Sequence, residues 1–299
     1  MEIFSDLNDK HKNLSLALGF FDGIHAGHIK VIQNAVDYAN NNGLKSAVIT
    51  FSEHPALSFN KNFEGYIMPP DERFIYFEKM GVDYCWVLDF NSIVNIDAND
   101  YIKNILVENF APKAITSGFN HNFGKNKKGT SKLLKTFSKI YGYEYFEICP
   151  VIMNNITVSS STIRKFIKLG DIENINKFMQ HKFEITGNVL HGQRIGTKLG
   201  FKTANINYPK DCVKLLYGVY GVNINYKGSI YNGIANFGVK PTFYSQQEPI
   251  LEIHIFDFDK EIYGEKISVE FKKFIRAEKK FRSQNELLMQ IKKDIDLNK

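Results

Sequence analysis

Apolar and polar positions follow two different rhythms along this chain, and the change falls near residue 181. Upstream, short apolar runs alternate with stretches of helical spacing. Leu14 to Phe20 is a strand-like run that ends in the glycine turn Gly19-Phe20-Phe21-Asp22-Gly23. From His28 onward, Ile29, Ile32, Ala35, Val36 and Ala39 recur on one helical face, with Gly43 placed as a C-cap. Ser46 to Phe51 predicts the next strand, and Pro69-Pro70 opens a helix to about Met80. Tyr84 to Phe90 reads as a strand, Asp97 as the cap of a helix to about Asn109, and Lys113 to Ser117 as a further strand. A helix over Thr130 to Ile140 and a strand over Glu144 to Ile148 complete the series. Strands alternating with helices require right-handed βαβ crossovers. They predict an α/β unit with a parallel, doubly wound sheet that binds ligands at the carboxyl ends of its strands.

Ser159 to about Gln180 keeps helical spacing, with a break at Gly170-Asp171. The runs from Phe183 to Phe274 are short, β-rich and separated by glycine turns: Val219 to Tyr226, Ile230 to Phe237, Leu251 to Phe258 and Ile267 to Phe274. Short strands without intervening helices predict a small antiparallel β-barrel. Ser283 and Glu286 then frame a capping box before Leu287, Leu288, Ile291 and Ile295 of a C-terminal helix. The expected organisation is two domains, 1–181 and 182–299.

Composition narrows the class. A hydrophobic share of 43% and a charged share of 23% belong to an ordinary globular protein. The net charge of +6 arises from 38 basic and 32 acidic residues spread along the chain, whereas a nucleic-acid binder gathers its cations on one face. The densest basic run, Lys125, Lys127 and Lys128, suits a solvated loop or the attraction of phosphate. Cys85, Cys149 and Cys212 are too far apart in sequence for a CxxC pair, which argues for a reducing compartment. Cys85 and Cys149 lie in apolar runs and are expected to be buried. Neither a secretion signal nor an apolar run near the ~20 residues of a membrane span is visible. These features predict a cytoplasmic protein acting on anionic small molecules, with no nucleic-acid or membrane partner, as a monomer or weak homo-oligomer.

The turn after the first strand carries the first candidate chemistry. Gly19, Phe21, Asp22, Gly23, His25, Gly27 and His28 fall between a strand and a helix start, where backbone N–H groups favour anions. His25 and His28 can both point at that spot and donate hydrogen bonds to phosphate oxygens. A helix-capping turn with incidental histidines is the plainer reading. Further on, Ser159, Ser160 and Ser161 with Arg164 offer hydroxyls, backbone donors and a planar fork at another helix start. A simple serine N-cap with a surface arginine is the plainer reading there.

The segment GFFDGIHAGH resembles the HxGH motif of the nucleotidylyltransferase superfamily, in the form found in bacterial bifunctional riboflavin kinase/FAD synthetases. Gly118 to Gly124 is similar to that family's GxNFxFG loop, with His121 in place of phenylalanine, and Val158 to Arg164 resembles its SSTxxR-like motif. The resemblance implies a Rossmann-like nucleotidylyltransferase domain in which His25, His28, Asn120, Ser160, Ser161 and Arg164 serve adenylyl transfer.

In the second half, Gly192, Gly196 and Gly200 could wrap phosphates with backbone amides or simply form a glycine-rich hairpin. The stretch through Asn205 resembles the riboflavin kinase signature GxxxGxxLGFPTAN, with Lys202 in place of proline. Lysine is expected to loosen that turn without removing a ligand oxygen. The resemblance implies a riboflavin kinase barrel in which Thr203 and Asn205 hold ATP-bound Mg2+. Residues 236–243 are similar to NxGxRPTF, with Lys240 for arginine, and 251–258 to ExHxxDF. The glutamate of the latter is the family's base, which makes Glu252 the candidate to deprotonate the substrate hydroxyl. By period-2 alternation Glu252 shares a face with His254 and Phe256, away from Leu251, Ile253 and Ile255. Residues 275–281 are similar to LRxExKF, and Arg276 is carried over as a contact to flavin or its phosphate.

The resemblance therefore implies two reactions: phosphorylation of riboflavin by ATP to FMN, then adenylylation of FMN by a second ATP to FAD with release of pyrophosphate. The departures at Lys202, Lys240 and His121 keep open a chain with one weakened module, above all a kinase-weak FAD synthetase. A non-catalytic flavin or nucleotide sensor is a further alternative, opposed by the intact His25, His28, Thr203, Asn205 and Glu252.

Overall fold

A computed structural model describes residues 1–8, 11–59, 63–191, 202–239 and 249–298 of the chain. Contacts divide it into two units, Met1–Ser160 and Ser161–Lys299. The strands of the first unit are β1 (Glu2–Phe4), β2 (Leu14–Leu18), β3 (Lys45–Phe51), β4 (Tyr84–Leu88), β5 (Ala114–Gly118), β6 (Asn122–Phe123), β7 (Gly129–Thr130), β8 (Glu144–Ile148), β9 (Ile152–Met153) and β10 (Ile156–Thr157). Six of them form one sheet in the order β1-β4-β3-β2-β5-β8, every pairing parallel. The chain first builds outward from β2 on one side, then crosses to β5 and β8 on the other. The switch point thus lies between β2 and β5, where such sheets open a crevice at their carboxyl ends.

All five residues of β2 are buried, as a central parallel strand covered on both faces requires. Helix α1 (Ala26–Asn41) packs over β2, β3 and β5 and buries Ile32, Ala35, Val36 and Ala39 of the predicted stripe together with Val31, while Ile29 is only half-buried. The opposite face holds Trp86, fully buried, stacked on Phe4 at 4.7 Å and meeting Phe110 edge-on at 4.8 Å. The predicted helix from Asp97 is present, with the Asp97 carboxylate accepting from the Asn99 N–H at 2.9 Å, but its middle, Tyr101–Val107, winds as a π-helix. Cys149 differs from expectation: it is exposed, because the apolar run ends with Ile148 and the chain leaves the sheet there.

The second unit holds β11 (Glu184–Asn188), β12 (Ala204–Asn207), β13 (Gly218–Tyr226), β14 (Ser229–Val239), β15 (Pro249–Ile255) and β16 (Lys266–Ala277). They pair antiparallel in the order β11-β16-β13-β14-β15-β12, and the Leu190–Asn205 bridge brings the two ends of the sheet together into a nearly closed barrel. Leu251, Ile253 and Ile255 fill its interior while Glu252 and His254 between them stay half-exposed, the predicted alternation. β15 stops at Ile255, three residues before the expected end, where Phe256 and Asp257 turn out of the sheet with Asp257 in the left-handed region (φ 54°). Helices Ser160–Leu169 and Ile172–Met179 precede the barrel, broken at Gly170 as the pattern predicts, and Gln284–Asp296 follows it.

Candidate active sites

The loop from Gly19 to His25 joins β2 to α1 at the switch point. Phe21 (φ 61°), Gly23 (φ 79°) and Ile24 (φ 40°) all take left-handed backbone. At Gly23 only glycine fits: a Cβ there would lie 2.7 Å from the Ile67 side chain. Two non-glycine residues in this region within one tight loop is strain that the surrounding structure has to hold.

Arg73 does much of that holding. Its side chain is fully buried and donates to the carbonyls of Phe20, Phe51 (3.1 Å) and Pro70 (2.7 Å) and to the Thr50 hydroxyl (3.1 Å). It also lies 4.1 Å over the Phe20 ring. Burial lowers its pKa to about 10, so it remains a cation at neutral pH. The Asp22 carboxylate accepts from the Ile67 N–H at 3.0 Å, and the Asp22 carbonyl accepts from the Ser160 hydroxyl at 3.1 Å. Loop and serine motif are therefore joined directly at Ser160. Ser161 and Arg164 follow on the same helix, Ser161 exposed and Arg164 buried.

His25 is the N-cap of α1, and its Nδ1 accepts the His28 N–H at 3.2 Å. That bond fixes the tautomer: the neutral ring carries its proton on Nε2, which is left as a donor. The His28 ring stacks against it with centroids 3.5 Å apart. Burial lowers the His25 pKa to about 4 and that of His28 well below its usual value, with His25 and Arg73 adding to the latter. Both rings are neutral hydrogen-bond donors at pH 7, set at the positive end of a helix.

Across the switch point, β5 leads into Gly118, Phe119 and Asn120, and the β6–β7 hairpin follows. Asn120 is exposed at the tip of this loop. His121 stacks on Phe123, and burial lowers its pKa to about 4. Between this loop and the β2 loop lies a cavity walled by Phe20, Phe51, Phe90, Tyr101, His121 and Phe123, with Gly19 at its edge. Sequence reasoning missed both this cavity and Arg73. The one local signal for Arg73 is that it shares a helical face with buried Phe77 four residues on, an unusual place for a cation.

In the second unit Thr203, Asn205 and Glu252 come together. β12 pairs antiparallel with β15 so that Asn205 lies opposite Glu252, and on the other side Asn236 of β14 does the same. The Thr203 hydroxyl donates to the Glu252 carboxylate at 3.0 Å. Lys202 does not leave this turn loose: the His254 Nδ1–H donates to its carbonyl at 2.9 Å, and its ammonium reaches Asp259 at 3.0 Å. A cavity lined by Thr203, Lys202, Lys260, Glu261 and Tyr263 opens beside the threonine. Arg276 lies apart from this group. It is bound to the fully buried carboxylate of Asp294 on the C-terminal helix at 2.8 to 3.1 Å, and its remaining described bond runs to the Ala277 carbonyl. Gly192, Gly196, Gly200, Arg194 and Lys240 lie outside the described residues.

Comparison with known proteins follows the same division. The family model described as FAD synthetase matches residues 7–162, and the one described as riboflavin kinase matches residues 179–299. A bifunctional riboflavin kinase/FMN adenylyltransferase of Bacillus subtilis is 35% identical, over 93% of this chain and 89% of its own length. One from Buchnera aphidicola of Schizaphis graminum is also 35% identical, over 98% and 96%. Among solved structures, a Streptococcus pneumoniae chain described as a macrolide-efflux protein superposes with a TM-score of 0.89 at 29% identity, covering 99% of this chain and 97% of that one. Among the described residues of the present chain, no helix is long and apolar enough to cross a membrane.

Proposed function

The chain belongs to the bifunctional riboflavin kinase/FMN adenylyltransferase family, and from that premise we propose how its residues divide the two reactions. ATP phosphorylates riboflavin to FMN and ADP in the module 182–299. A second ATP and FMN give FAD and pyrophosphate in the module 1–181. The observation that supports this reading is two separate polar clusters on unrelated scaffolds, His25 with His28 at the start of α1 and Thr203, Asn205 and Glu252 on the barrel strands.

In the kinase module Glu252 is the base. It takes the proton of the ribityl terminal hydroxyl as that oxygen attacks the γ-phosphorus of ATP and ADP leaves. Thr203 holds the carboxylate in place, and the Asn205 amide lies across from it. A threonine hydroxyl, an amide oxygen and a carboxylate are hard oxygen donors, the set that suits Mg2+ shared with substrate phosphates. Thr203 and Asn205 would hold the ion, which offsets polyphosphate charge when bound.

In the adenylyltransferase module the α-phosphorus of ATP is attacked by an FMN phosphate oxygen, and pyrophosphate departs. The His25 Nε2–H and the His28 ring donate to phosphate oxygens at the N-terminus of α1, where negative charge grows. Ser160, Ser161 and Arg164 complete the polyphosphate contacts, and Asn120 closes the site from the β5 side. The aromatic cavity receives the flavin ring, which stacks on Phe and Tyr faces. Arg276 acts on the kinase module through its bond to Asp294, as an anchor for the C-terminal helix.

Mass spectrometry of the products from riboflavin, ATP and Mg2+ tests both steps at once, with FMN and FAD expected. With Glu252→Gln, FMN formation should fall at least about a hundredfold while FAD formation from supplied FMN persists. Loss of both activities would refute the division into two sites.

A further inference from the structure

The aromatic cavity between the β2 and β5 loops is walled largely by carbon, and Lys127 is the only charged side chain among the described residues that line it. His121 does not add charge there, since burial keeps its ring neutral at physiological pH. Lys127 is exposed, so the cation stands where the cavity meets solvent.

The turn that carries this lysine is closely held. Asn126 and Lys127 both take left-handed backbone at φ 57°, unfavourable for residues with a Cβ. The turn is closed by the Lys127 N–H to the Gly124 carbonyl at 3.0 Å, and anchored by the Lys125 N–H to the Ile96 carbonyl at 2.7 Å. Gly124 (φ 69°) is pressed so near the helix at Ala98 that a Cβ would lie 2.8 Å from the Ala98 Cα. The β6–β7 pairs, Phe123 with Gly129 and Asn122 with Thr130, clamp both ends. Consecutive left-handed residues held this firmly give the lysine stem a fixed starting direction at the cavity rim.

A carbon-walled slot with one cation at its exposed rim matches a ligand made of a planar ring and a single anionic arm. FMN has that form; riboflavin has the ring without the charge. We propose that Lys127 is a specificity-determining residue of the adenylyl-transfer site, pairing with the phosphate of FMN so that unphosphorylated flavin is held less tightly there. The inference rests on the reading of this cavity as the flavin site. It matters because riboflavin, the substrate of the other module, has no phosphate oxygen to attack ATP and would occupy the cavity unproductively.

The test is steady-state FAD formation from FMN and ATP with Mg2+ in the full chain, with lumiflavin as inhibitor. Lumiflavin has the ring but neither ribityl chain nor phosphate, so the kinase cannot convert it. In Lys127→Met the KM for FMN should rise about tenfold, the loss of one charge-assisted bond to phosphate. The lumiflavin inhibition constant and the KM for ATP should change by less than about twofold, and Lys127→Arg should recover most of the FMN affinity. Lys125→Met, an equal change of net charge in the same turn, should leave all three unaltered. An unchanged KM for FMN in Lys127→Met, an equal rise in Lys125→Met, or a rise for ATP instead of FMN would overturn the proposal. If lumiflavin fails to compete with FMN in the wild-type chain, the cavity is not the flavin site, and that failure is visible before any variant is made.

Discussion

In the proposed adenylyl-transfer site His25 and His28 meet the phosphates as neutral donors. Burial has taken their protonated forms out of reach at neutral pH, and this has a stability consequence. Below pH 6.5 the unfolded chain takes up a proton at His25 that the folded chain refuses until about pH 4. The unfolded state therefore binds more protons across that window, and stability falls as pH drops from about 6.5 to 4, by on the order of 3 kcal/mol from His25 alone. His28 and His121 act in the same direction. Thermal unfolding followed from pH 7 to pH 4.5 should show this decline, and His25→Asn should flatten it. Arg73 makes a second residue-scale prediction. Arg73→Met withdraws four side-chain hydrogen bonds from around the strained loop, leaving the Phe20 carbonyl only the Thr50 hydroxyl among the described residues, and should cost about 3 kcal/mol, read as a lower melting temperature. The two histidines were legible in the sequence because HxGH is a local pattern. Arg73 was not, because its four partners come from three separate segments that only the fold assembles.

At the scale of elements, strands and helices followed from period where one face was buried, as in α1 and β15. The exceptions have physical causes. The π-helical turns in 101–107 leave no mark in the spacing of apolar residues, and Cys149 is exposed because a neighbour's hydrophobicity says nothing of where a strand stops. The proline-to-lysine change at 202 suggested a looser turn, yet the backbone there is held by His254, which lies 52 positions later in the chain. The C-terminal helix shows the same dependence on distant partners. Its Ser283 cap was visible, whereas its docking by Arg276 to Asp294 was not. Arg276→Met should leave the Asp294 carboxylate buried without a cation, held among the described residues by the Gln290 amide alone, at a cost of about 3 kcal/mol, and hydrogen exchange should speed up first over Gln284–Asp296.

For the whole molecule, the proposed division gives the two reactions separate residues, so their loss should be separable. A His28→Ala chain should accumulate FMN, and a Glu252→Gln chain should need FMN supplied. An equimolar mixture of the two variants given riboflavin should make FAD, with a lag while free FMN builds up; absence of FAD would mean that FMN never leaves the chain that makes it. The division into two units also has an optical consequence. Trp86 is the single tryptophan of the sequence, and it is sealed in the sheet of the first unit against Phe4 and Phe110. Tryptophan emission is therefore a reporter of that unit alone, blue-shifted while its core is closed and red-shifted when it opens. The barrel, which has tyrosine and phenylalanine but no tryptophan, can melt unseen at that wavelength, so a denaturant titration read by emission and by circular dichroism together would resolve two stabilities from one unmodified protein.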